Sequence, residues 1–98
     1  MHPNKMIDGN YYRGKNGKIR RFISSEFVLY KGDVATYYAI PKGEKREIML
    51  DSFARWAVED LGPEWRWNTI NEALTKLKIT KEPLTDLEHA VLKQKDFY

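Results

Sequence analysis

The feature that most restricts the fold is a change of apolar period at Ile48–Leu61, IMLDSFARWAVEDL. Before it, apolar residues tend to recur at every second position, as on a strand; within it they recur at helical spacing. Phe53, Ala54, Ala57, Val58 and Leu61 make one stripe, and Arg55, Glu59 and Asp60 fall off it. Asp51 and Ser52 both offer a short side-chain oxygen to the unpaired N–H groups of a first turn. Gly62-Pro63 then ends the segment, because Gly accepts a left-handed cap and Pro cannot continue the ladder. The spacing predicts a helix of about ten residues, too short to persist alone. Phe53, Ala57 and Leu61 are therefore expected to lie on a sheet built from the residues before them.

Those residues carry strand and turn signals. Asn16-Gly17 suits the positive φ values of a two-residue hairpin turn, so Asn10–Gly14 and Lys18–Ser24 are expected to pair antiparallel. Ile19 and Ile23 share one face of the second strand, with Lys18, Arg20 and Phe22 on the other. Ser24-Ser25-Glu26 predicts a bulge or bend before Phe27–Tyr30. Lys31-Gly32-Asp33 reads as a second turn, Val34–Ile40 as a strand, Pro41–Glu44 as a third turn and Arg46–Leu50 as a last strand. About four or five short antiparallel strands predict a strongly bent, SH3-like sheet, or else a flatter sheet with helices on one face.

The runs GNYYRGKNGKIRRF, FVLYKGDVATYYAI and REIMLDSFARWA, across residues 9–58, resemble small phage and prophage proteins. In these an SH3-like bent sheet precedes a helix that opens on a Phe-Ala-x-Trp motif, here Phe53-Ala54-Arg55-Trp56. The resemblance implies a mobile-element origin and a binding role, and it designates no site residues.

The second half reads as helical, so the fold class is α+β: a bent sheet followed by about three short helices in a single domain. Glu64-Trp65-Arg66-Trp67 is expected to be a linker. Thr69-x-x-Glu72 and Thr85-x-x-Glu88 are capping boxes, in which each side chain serves the other residue's N–H. They predict helices over 69–78 and 86–95, separated at Pro83. Lys93 and Lys95 suit the last turn, where cations complement the helix dipole.

Composition narrows the function. The chain has no cysteine, which excludes disulfides, thiolate catalysis and Cys-based zinc sites. It has no apolar run long enough to cross a bilayer and no secretory leader in MHPNKMIDG, so a cytoplasmic location is expected. His2 and His89 lack ligand spacing, and Glu59 and Asp60 would diverge on a helix. Ser24 and Ser25 have no general base nearby in sequence, and the glycines form no phosphate loop. No enzyme, metal or cofactor is expected.

Residues 1–50 hold ten Lys/Arg against five Asp/Glu, whereas residues 51–98 hold seven against nine. The excess falls on the first hairpin, where Tyr12, Arg13, Lys15, Lys18, Arg20 and Arg21 bring cations among rings. Trp65, Arg66 and Trp67 form a second aromatic group. These nine residues are the candidate partner-binding set. Tyr, Trp and Arg dominate protein interfaces, so the leading expectation is an interaction protein that binds and modulates a host protein. The alternative is a nucleic-acid-binding module, whose cations neutralise phosphates while its rings stack on bases.

Overall fold

In the computed structural model, which describes residues 1–93, Gly17 turns the chain with a φ of +79°. Strand β1 (Tyr11–Gly14) pairs antiparallel with β2 (Ile19–Val28), setting Tyr11 opposite Arg21 and Tyr12 opposite Arg20. Strands β3 (Gly32–Ile40) and β4 (Glu44–Met49) extend the meander. The ladder between β2 and β3 slips between Phe22 and Ser24, slightly before the expected interruption, and β2 continues through the bulge to Val28. The turn after it is Leu29–Lys31, and Gly32 already belongs to β3.

The helix at the period change is shorter than expected. Helix α1 spans Leu50–Trp56, after Met49 and without a side-chain cap, so neither Asp51 nor Ser52 is its N-cap. The chain then straightens into β5 (Ala57–Gly62), which pairs antiparallel with β1. Val58 and Leu61 are therefore strand residues; Val58 is exposed and Leu61 only partly covered. Pairing with the edge of β1 overrides the helical period of the segment, a tertiary contact prevailing over local pattern. The Lys15 N–H donates to the Trp56 carbonyl at 3.0 Å, where helix becomes strand.

The result is a five-stranded antiparallel sheet in the order β4-β3-β2-β1-β5. The bulge and the return of β5 to β1 are compatible with an SH3-like bend. Phe53 is fully buried beneath α1. Its ring centroid lies 5.9 Å from that of Tyr12, 5.4 Å from Phe22, 5.5 Å from Tyr37 and 5.4 Å from Trp56. Ala35, Leu50 and Ala57 complete this core, so Phe53 and Ala57 pack as their spacing predicts.

Helix α2 spans Trp65–Thr75 and runs into a π-helical turn over Lys76–Thr80, ended by Lys81 at a φ of 54°. It starts four residues before the expected capping box, so Thr69 and Glu72 lie within it, and Trp65-Arg66-Trp67 is its first turn and not a linker. The second box is formed. The Thr85 N–H donates to the Glu88 carboxylate at 3.1 Å, the Glu88 N–H donates to the Thr85 hydroxyl at 3.2 Å, and α3 (Asp86–Lys93) follows. The Lys76 ammonium bonds the same Glu88 oxygen at 2.9 Å and ties α3 to the end of α2. The expected C-terminal extension of this helix to residue 95, with Lys95, lies outside the described residues.

Candidate functional site

The first hairpin does not present its cations on one surface. Alternation along β2 sends Arg20 and Arg21 to opposite faces of the sheet. Arg20 lies on the Tyr12 side, its guanidinium carbon 4.6 Å from the centre of the Tyr37 ring and 4.1 Å from that of Trp56. Arg21 lies on the Tyr11 side, 5.1 Å from that ring, and its Nε–H donates to the Gly9 carbonyl at 3.1 Å. Arg13 reaches across to β5 and pairs with Glu59 at 2.8 Å. Lys15 and Lys18 are exposed at the turn.

Tyr12 is not part of any surface. It is fully buried and its hydroxyl accepts the Ile7 N–H at 2.9 Å. Burial pushes its pKa up, because the phenolate would lose its hydration. The sequence reading placed this ring in the partner-binding set; the core has claimed it instead, since it faces Phe53 edge-on.

The Trp pair is also divided. Trp65 packs on the buried Tyr11 ring, with centroids 5.3 Å apart. Trp67 is more than half exposed and carries the Arg66 guanidinium 5.3 Å from its ring centre. Burial lowers the pKa of Arg66, and the nearby Arg21 charge adds to that effect. Arg21, Tyr11, Trp65, Arg66 and Trp67 thus form a stacked group that clamps the start of α2 to β1. Most of its rings are used in packing, and Trp67 is the one that faces solvent.

Three strongly exposed apolar side chains lie at the far end of the β2–β3 hairpin. Phe27 is 71% exposed, Leu29 68% and Tyr30 98%. Tyr30 has a φ of +71°, in the left-handed region that side chains beyond Cβ rarely adopt. The Met49 side chain approaches Gly32 beside this turn. In the sequence, Ser24-Ser25-Glu26 predicts only a bulge or bend before Phe27–Tyr30, and the group is not singled out there. The available signal was FVLY itself, a run of consecutive apolar residues without alternation directly before a turn.

Among the described residues there is no cluster of three or more His, Asp or Glu side chains able to hold a metal ion. His89 is exposed on α3, and His2 accepts the Asn4 N–H through Nδ1 at 3.1 Å. Among the described residues no helix is long and apolar enough to cross a membrane. No protein-family model matches the chain, and no curated protein or solved structure matches it either.

Proposed function

We propose that the protein is a non-enzymatic interaction module that grips a partner protein with the end of the β2–β3 hairpin. The observation that carries this reading is Tyr30, almost wholly exposed and held at positive φ in the middle of the Leu29–Lys31 turn. A large ring kept exposed at a positive φ, where glycine would be less strained, supports a role for the side chain outside the fold. Phe27, Leu29 and Tyr30 together resemble the aromatic and aliphatic anchors that fill a pocket on a partner. The phage-type resemblance of residues 9–58 favours a host protein in the cytoplasm as that partner. Seating the hairpin end in an apolar groove would modulate it by occlusion.

The nucleic-acid reading has less support. Its phosphate-contacting stripe would need Arg13, Arg20 and Arg21 together, yet Arg13 is paired with Glu59 and the other two lie on opposite faces. The test is capture from a nuclease-treated bacterial lysate with wild type and with Phe27→Ser/Tyr30→Ser. A protein retained by wild type and lost with the double variant, with little change between about 50 and 200 mM salt, is the expected result. Equal retention by both forms would overturn the assignment. Capture that disappears after nuclease treatment and falls steeply with salt would transfer the function to the basic residues.

A further inference from the structure

A cleft of about 720 Å³ opens on the opposite flank from the hairpin end, between the β1–β2 turn, the β3–β4 turn and α3. Its volume lies in the range of small-molecule sites. Ile19, Ile40, Pro41, Leu87 and Ala90 give it an apolar lining. Lys18, Arg20, Lys42 and Arg46 also line it, against the carboxylates of Glu44 and Asp86. Arg46 is taken by an ion pair with Glu44, and Lys42 adds a weaker pull on the same carboxylate.

Arg20 is the unusual member. Its guanidinium is half-buried and stacked on Tyr37 and Trp56, which fixes the plane of the fork. Among the described residues no Asp or Glu carboxylate forms an ion pair with it. Withdrawal from water holds its pKa below the ordinary arginine value; Tyr37 opposes that effect and the like charge of Arg46 adds to it. A cation kept in such a place without a counter-charge is disposed to take one from outside. The planar fork matches two oxygens of an oxyanion, and Lys18 at the rim adds a second positive charge that suits a dianion.

We propose that this cleft binds a small organic phosphate: a phosphate monoester set on Arg20 and Lys18, with its apolar body against Ile40 and Leu87. The assignment is independent of the hairpin end, and its variants leave Phe27 and Tyr30 untouched.

The experiment is isothermal titration of the full chain at low salt with AMP and with phenyl phosphate. Inorganic phosphate, adenosine and benzoate serve as partial ligands. Both monoesters are expected to saturate one site below about 1 mM, inorganic phosphate to compete, and adenosine to bind at least about tenfold more weakly. Arg20→Lys keeps the charge and removes the fork, and is expected to weaken phenyl phosphate about tenfold. Lys18→Gln lies at the exposed rim, leaves the ring stack intact and is expected to weaken it several-fold, so the proposal survives any folding defect of the Arg20 variant. No saturation by either monoester up to about 5 mM would overturn it. So would benzoate binding as tightly as phenyl phosphate, or unchanged affinity in the Lys18 variant. Saturation by an unphosphorylated oligonucleotide without any response to AMP would also overturn it.

Discussion

The indole of Trp56 occupies the space where a side chain on Gly14 would stand. A Cβ built on Gly14 would stand 1.8 Å from Trp56 Cε2, a distance no pair of non-bonded carbon atoms tolerates. Gly14 ends β1 opposite Ala57, so the contact fixes where the chain leaves α1 and enters β5. Gly14→Ala is expected to destabilise the protein by about 3 kcal/mol, at the upper end of overpacking costs, because backbone and indole must both shift. Urea denaturation measures it. In the Trp56→Leu background the same substitution should cost clearly less, and additive effects would contradict the contact.

Phe53 meets four other rings and is fully buried. Phe53→Ala is expected to cost about 4 kcal/mol, combining lost transfer energy with the cavity left behind. A loss well under about 2 kcal/mol would mean that α1 does not seal the sheet.

Tyr30→Gly is expected to separate stability from binding. Glycine adopts positive φ without a Cβ clash, so the variant should gain about 1 kcal/mol in equilibrium unfolding. The same change removes the exposed ring and should abolish capture of the partner. A variant that is destabilised would show that the Tyr30 ring, 98% exposed, makes a contact worth more than its strain.

Glu88 makes the fold sensitive to acid. The hydrogen bond from Lys76, then that from the Thr85 N–H, hold its carboxyl below the ordinary value, while burial opposes them. A carboxyl whose folded pKa is depressed contributes stability above its unfolded value and loses it as pH falls through the folded one. The difference in melting temperature between wild type and Glu88→Gln should therefore be present at neutral pH and should shrink below about pH 4.3. A constant difference across that range would show that the ion pair with Lys76 contributes nothing.

Much of the sheet was legible because its signals are local. Asn16-Gly17 and the period-two runs located the hairpins within a few residues, and Phe53 and Ala57 entered the core as their spacing required. The capping box at Thr85 and Glu88 likewise needs only its own residues. The errors arose where distant partners decide. Ala57–Gly62 has helical spacing but is drawn into a strand by the open edge of β1, a competition that no window of residues reveals. The helix that includes Trp65 packs that ring against Tyr11, a partner far along the chain. Tyr12 and Arg20 sit opposite each other on one face, yet one is core and the other lines a cleft, because α1 covers only part of that face. The exposure of Phe27, Leu29 and Tyr30 depends on which elements cover the hairpin end, which the residues themselves do not state.

The return of β5 to β1 has a consequence for synthesis. Arg13 and Glu59 face each other across 46 residues of sequence, so no N-terminal fragment can finish the sheet. The first four strands can pair as they leave the ribosome, while Tyr11–Gly14 keeps a bare flank until Ala57–Gly62 has emerged. A nascent chain halted before Ala57 would display an aromatic strand edge open to chaperones or to another copy of itself.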